Sequence, residues 1–414
     1  LVRYSEAVEP FKQAIRINPD FSKAHLGLGV AYGELGRYSE AVEAYKHAIR
    51  INPNLAEAHY YLGVAYGELG RYSEAVEAYK HAIRINPDYA EAHKNLGVDY
   101  YNLGRYSEAV EAFKKAIRIN PDDAKAHLGL GVAYEGLGHY SEAVEAYKHA
   151  IRINPDYADA HFGLGATYCE LGRFSEAVEA FNQAIRINPD YAEAHLGLGV
   201  AYYELGRYSE AVEACKQAIR INPDFAEAHY NLGVAYYKLG RYSEAVEAFN
   251  QAIRINPDYA EAHLGLGLAY GKLGRHSEAV EAYKQAIRIN PDYAEAHYNL
   301  GVAYDELGRY SEAVEAYKQA IRINPDYAEA HYNLGVAYDE LGRYSEAVEA
   351  YKQAIRINPD YAEAHYNLGV AYYKLGRYSE AVEAYKQAIR INPDYAKAHC
   401  NLGAAYGELG RFSE

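Results

Sequence analysis

The sequence predicts an all-α solenoid, and three observations carry that expectation. Asn-Pro recurs from Pro19 through Pro53 and Pro87 to Pro393, always 34 residues apart, and a fixed period of this size marks a repeat array. Between the prolines, apolar side chains step by three and four, the spacing of one helix face. No stretch shows the two-residue alternation of a half-buried strand. A helix pair this short cannot bury its own stripe, so the pairs must stack on one another.

Residues 294–327 serve as the type repeat. His297, Leu300, Gly301, Tyr304 and Leu307 share one face of a first helix, and Gly308 supplies a left-handed turn that ends it. Tyr310, Ala313, Val314, Tyr317, Ala320 and Ile321 form the stripe of a second helix, with Ser311 placed to cap its start and Asn324-Pro325 closing it. In the "DYAE" stretch that follows, Asp326 is expected to cap the next first helix and Glu329 to reach back to it. Small residues at Gly301, Ala313 and Ala320 let the two helices approach closely. The stretch "YAEAHYNLGVAY" at 293–304 returns unchanged at 327–338 and 361–372.

The pattern Leu-Gly, Tyr, Gly-x-Tyr, Ala, Tyr/Phe, Ala and Pro at this period closely resembles the tetratricopeptide repeat. The resemblance covers eleven full repeats, from 22–55 to 362–395. Residues 1–21 supply only a second helix and residues 396–414 only a first helix. Pro10 falls inside that first half-repeat, where proline in a continuous helix costs about 3 kcal/mol, so that end is expected to be kinked or frayed. The resemblance implies a right-handed superhelix whose first helices line a concave groove. One departure is systematic, since the family usually places a large aromatic residue where this chain has the His297 column.

Composition narrows the function. Half the residues are hydrophobic and the formal net charge is −15, which excludes a disordered chain and a general nucleic-acid binder. No apolar run is long enough to span a bilayer and no signal segment opens the sequence. The compartment is open between the cytoplasm and, for a filament, the cell exterior. A chain without Met that begins Leu-Val-Arg reads as a piece of a longer protein. Cys169, Cys215 and Cys400 match no metal or redox spacing. No cofactor, metal or catalytic constellation is expected, since no phosphate loop or paired nucleophile and base is present.

Histidine recurs at His25, His59, His93, His127, His161, His195, His229, His263, His297, His331, His365 and His399. Helices packed about 8–10 Å apart cannot bring successive rings onto one metal ion. Twelve equivalent rings also single out no catalytic one. The expectation is a packing ring whose nitrogens find backbone or tyrosine partners. A sharper expectation is a pH-sensitive seam that loses helicity cooperatively between about pH 6.5 and 5.

The implied groove is lined by the columns of Glu295, Tyr298, Asn299, Val302, Asp305 and Glu306. Repeats fall into two types there, "HLGLG" or "HFGLG" and "HYNLG". Three consecutive copies of the second type place Tyr298, Asn299, Tyr332, Asn333, Tyr366 and Asn367 in a ladder. Regularly spaced amides suit the backbone of an extended peptide, and tyrosine rings add apolar faces with a polar tip. Asp305 and Asp339, with Glu295, Glu306, Glu329 and Glu340, would favour a basic or neutral ligand. Against this stands the reading that all are ordinary solvated helix positions.

Lys94-Asn95 partly matches the clamp that some family members use on a C-terminal carboxylate, but Val98 stands where a second Asn belongs. Asp99 interrupts a column of Ala, as a polar contact or as a substitution tolerated near the surface. Asp123 replaces the usual aromatic before a helix, which is expected to loosen repeats 90–123 and 124–157.

These readings converge on a non-catalytic scaffold that binds an extended protein segment, with no nucleic-acid or membrane partner. Two alternatives stand beside it. The half-repeat ends would allow head-to-tail assembly into an open filament, with residues 1–6 and 410–414 competing for one place. The chain would equally serve as the sensor arm of a larger signalling protein.

Overall fold

A computed structural model describes the backbone of residues 2–410 and the side chains of residues 4–410. Leu1 and residues 411–414, which bound the two half-repeats and the overlap invoked for a filament, lie outside the described residues. Twenty-four helices and no strand occur among the described residues, running from α1 (Val2–Ile17) to α24 (Ala396–Glu408). Even-numbered helices are the first helices of the repeats and odd-numbered ones the second. Contacts divide the chain into two compact units, residues 1–207 and 208–414.

The type repeat shows how the sequence closes each turn. Helix α18 (Ala294–Glu306) ends where Gly308 adopts φ +68°, the left-handed conformation only glycine enters freely. The Arg309 N–H then donates to the Tyr304 carbonyl at 2.9 Å and the Gly308 N–H to that of Asp305 at 2.9 Å. Helix α19 (Tyr310–Ile323) starts without the expected serine cap, since Ser311 already lies inside it. The guanidinium of Arg309 instead pairs with Glu312 at 2.8 Å and lies over the Tyr304 ring, 4.6 Å from its centroid. Glu312 in the first turn also suits the positive end of the helix dipole.

At the far end, Asn324 is extended, as a residue before proline must be, and its side-chain oxygen accepts from the Asp326 N–H at 3.2 Å. That bond commits Asp326 to the turn, so helix α20 (Ala328–Glu340) begins after Tyr327 with no side-chain cap from Asp326 or Glu329.

Histidine closes this turn. The Nε2 of His331 lies 3.0 Å from the Pro325 carbonyl, and a carbonyl only accepts, so Nε2 carries the hydrogen. The same bond recurs at 2.9 to 3.1 Å in all twelve members of the column. Where the second helix also carries histidine the rings stack, as in His25–His47, His59–His81 and His127–His149, with centroids 5.3 to 5.4 Å apart.

The core of each full pair is a ring seated on a glycine, except that Cys215 replaces the ring in one of them. Tyr317 is fully buried, and a Cβ added to Gly301 would stand 2.5 Å from its Cε1. Within each unit, consecutive first helices touch one another. Consecutive second helices do not, among the described residues. First helices therefore form the inner, concave face of each unit, as the resemblance implied.

Three positions singled out by the sequence can now be placed. Pro10 lies within α1, which runs from Val2 to Ile17, at an exposed position where water can take up a carbonyl left without a donor. Asp123 precedes a repeat whose Leu130 and Tyr134 are only partly buried, where the equivalent Leu96 and Tyr100 are buried. It caps α8 (Ala124–Gly136), accepting from the N–H groups of Lys125 and Ala126 at 2.9 and 3.2 Å, and it pairs with Lys94 at 3.1 Å. Asp99 is no surface substitution, being only 5% exposed.

Candidate functional site

The concave face of the second unit carries the ladder, and its side chains are tied to one another. Asn333 Nδ2 donates to the Tyr298 hydroxyl at 3.1 Å, Asn367 to Tyr332 at 2.9 Å and Asn401 to Tyr366 at 3.1 Å. Each amide therefore reaches back one repeat. Asn299 follows a repeat that carries Leu264 instead of tyrosine, and it donates to its own helix, at the Glu295 carbonyl, at 2.8 Å. Asn231 follows Leu196 and does the same at the Glu227 carbonyl, at 2.9 Å. In the first unit, Asn95 donates to Tyr60 at 3.3 Å. One N–H of each ladder amide is thus spent inside the array.

The ladder tyrosines are half-buried. Tyr298 packs against Tyr317 and Tyr327, with centroids 6.0 and 4.8 Å away, and Tyr332 and Tyr366 repeat the arrangement. Burial pushes the Tyr298 and Tyr332 phenols up, and Glu329 and Glu363 beside them push the same way. Glu295, Glu329 and Glu363 themselves are exposed. The face is a row of ring edges beside solvated carboxylates.

The two repeat types have a packing cause that the sequence alone did not disclose. Where the Asn299 column holds glycine, the ring of the preceding second helix fills the space. A Cβ on Gly129 would stand 2.4 Å from Phe113, one on Gly197 2.6 Å from Phe181 and one on Gly265 2.7 Å from Phe249. Every Phe of that ring column is followed by such a glycine, whereas tyrosine is followed by asparagine, glycine or, after Tyr45, by Tyr61. Part of the variation along the groove therefore belongs to the array itself.

Asp305 and Asp339 come together with the ring beneath them. The Tyr317 hydroxyl donates to Asp305 Oδ2 at 2.5 Å and the Tyr351 hydroxyl to Asp339 Oδ2 at 2.8 Å. Oδ1 of each is buried without a partner. Burial pushes both carboxyls up to about 6, against the pull of the tyrosine bonds.

The same column holds Glu135 in the first unit, which sequence reasoning passed over. Both its oxygens are used, one by the Tyr147 hydroxyl at 2.8 Å and the other by Thr167 Oγ1 at 2.5 Å, whose single hydrogen is shared with the Gly163 carbonyl at 2.7 Å. Thr167 lies in the next first helix, α10 (Ala158–Glu170), in the column that also contains Asp99. These two columns therefore face each other across the seam between neighbouring first helices. Two polar departures from alanine in a single column were the available signal.

The clamp residues are committed elsewhere. Lys94 is held by Glu91 at 2.6 Å and by Asp123. No group of three His, Cys, Asp or Glu side chains among the described residues is arranged to hold a metal ion. No helix among them is long and apolar enough to cross a membrane.

The chain is thus a solenoid of helix pairs with a polar seam along its inner face. Residues 2–161 and 157–358 match the family model of the cilia and flagella-associated protein 70 C-terminal domain. Residues 332–396 and 366–414 match that of the tetratricopeptide repeat. The chain belongs to the tetratricopeptide-repeat family, whose fold is typical of protein-interaction scaffolds. No curated protein matches it.

Several solved structures are similar to it. MamA is 32% identical with a TM-score of 0.38, over 40% of this chain and 97% of that one. The hetero-tetramer Cut9-Hcn1 of the APC/C is 17% identical with a TM-score of 0.46, over 97% of this chain and 93% of that one. YrrB, described as a tetratricopeptide-repeat protein with an unusual peptide-binding site, is 26% identical with a TM-score of 0.40, over 45% of this chain and 96% of that one.

Proposed function

We propose that this protein is a non-catalytic scaffold whose concave face holds an extended segment of a protein partner. The observation that carries this reading is the rung formed by Tyr298, Tyr332 and Tyr366. It repeats once per helix pair, leaves ring edges half-exposed, and runs beside Glu295, Glu329 and Glu363. A segment crossing such rungs meets the same apolar edge and polar tip at each repeat, which suits an extended chain better than a compact surface. The carboxylates select for a basic or neutral segment. The amides contribute less than free ones would, because one N–H of each already serves the neighbouring tyrosine or its own helix.

Selection of a random linear-peptide display library on the full chain tests this. Selected peptides should bind the triple variant Glu295→Lys, Glu329→Lys, Glu363→Lys about tenfold more weakly. These three side chains are exposed, so helical circular dichroism should not change. Equal affinity for both proteins would remove the groove of the second unit as the binding face.

A further inference from the structure

Asp99 is 5% exposed, its Oδ2 is buried without a hydrogen-bond partner, and no cation among the described residues is placed to neutralise it. It lies on α6 (Ala90–Asn102), in the column whose member Thr167 is reached from the preceding repeat by Glu135. In the repeat before Asp99, the position equivalent to Glu135 is Gly67, on α4 (Ala56–Glu68). The carboxylate points at that glycine, since a Cβ built on Gly67 would stand 3.7 and 3.8 Å from its two oxygens, at ordinary contact. Asp99 therefore packs directly beneath Gly67, with no side chain from that helix to donate a hydrogen to it.

At one glycine of this column the groove is open. One repeat earlier, Gly33 faces Ala65 beside a cavity of about 490 Å3, lined also by Tyr45, Tyr61 and Glu68. The surroundings of the Asp99 notch are apolar or acidic. Val98, next to it on α6, is 45% exposed on this seam, and Glu68 at the end of α4 is exposed. Glu68 and Asp99 both act on the Tyr79 phenol, the titratable group on α5 (Tyr72–Ile85) behind them. On α6 itself the neighbouring polar side chain is Asn95, which is bonded to Tyr60.

We propose that the notch between Gly67 and Asp99 receives a cationic side chain, lysine or arginine, of a segment lying in the groove of the first unit. This rests on the scaffold reading above. The incoming side chain approaches from the groove over Gly67, where no side chain of the array covers Asp99. Its aliphatic stem lies along Val98 and its donors reach the Asp99 carboxylate, with Glu68 adding negative charge at the rim. A neutral apolar side chain would fill the same space and leave Asp99 unpaired, so the notch discriminates by charge.

The test runs the display selection in parallel on the full-length wild type, Asp99→Ala and Asp99→Asn. Alanine is the residue most other first helices carry here, and asparagine keeps the shape without the charge. Wild type should enrich Lys or Arg at one fixed register. Replacing that residue by norleucine in the selected peptide should weaken binding at least about tenfold. Both variants should still select peptides but lose that register, and for them the norleucine exchange should cost less than about twofold. Equal enrichment and equal norleucine loss in all three proteins would overturn Asp99 as a cation site and leave the groove reading standing. Failure of all three to enrich any peptide would overturn both.

Discussion

The seams between neighbouring first helices that hold acids treat them differently. In the first unit, Glu135 has a donor for each oxygen, Tyr147 behind it and Thr167 across the seam. In the second unit, Asp305 and Asp339 keep the tyrosine behind them but face Ala337 and Ala371, and one oxygen of each stays unpaired. Asp99 is the extreme case, an acid with neither donor. Architecture is not what separates these places, because the helices, turns and ring-on-glycine packing are alike. What separates them is whether the facing column supplies a hydrogen. An array that satisfies its own polar groups at one seam and not at others has local stability to gain from a ligand.

The largest expected effect lies where the array is satisfied. Thr167→Val keeps the shape and removes the donor, leaving a buried Glu135 oxygen unpaired. It should lower the unfolding free energy by about 2–3 kcal/mol in urea titrations. Tyr317→Phe takes the remaining donor from Asp305 and should cost about 1–2 kcal/mol, while pushing that carboxyl further up, which carboxyl NMR titration would read. Asp99→Ala runs the other way. Removing an unpaired buried acid should raise stability at pH 8 by about 1–2 kcal/mol, and a loss of stability would mean that Asp99 has a partner after all.

The smallest effect concerns histidine. Burial lowers the pKa of His59, His127, His263 and His331, so their contribution to stability holds above the ordinary value of 6.5 and fades as the pH falls through their folded values. Protonation does not break the Nε2–H bond to the proline carbonyl, however. Asp99, Asp305 and Asp339 change in the opposite sense, since carboxyls raised to between about 6 and 7 become less costly on acidification. Helical circular dichroism should therefore persist from pH 7 to 5, in place of the cooperative loss that the histidine column alone suggested.

Most of the fold was legible because the period, the Gly308 turn and the Asn324-Pro325 stop are local signals with local causes. The capping residues were misread because the turn is closed from outside the capping motif. The His331 ring reaches the Pro325 carbonyl, and Arg309 binds Glu312 over Tyr304. The ladder was legible as a pattern but not as a network, since the partner of each amide depends on whether the preceding repeat carries tyrosine or leucine. Asp99 illustrates the deeper limit. Its burial is set by an adjoining helix, and its lack of a partner by a glycine 32 residues earlier in the chain.

The most direct measurement is the difference in unfolding free energy between wild type and Asp99→Ala from pH 8 down to pH 4. In the folded chain, burial pushes the Asp99 carboxyl up to about 7, while unfolding returns it to the ordinary range near 3.8. Above pH 7 the carboxylate is ionised in both states and its full penalty falls on the folded one. As the pH drops below 7 the folded state takes up the proton first, and the penalty shrinks until the unfolded chain is protonated as well. The variant should therefore be the more stable at pH 8, with the gap narrowing steadily toward pH 4. A pH-independent difference, or a wild type stabilised relative to the variant at pH 8, would contradict an unpaired buried acid on the groove seam.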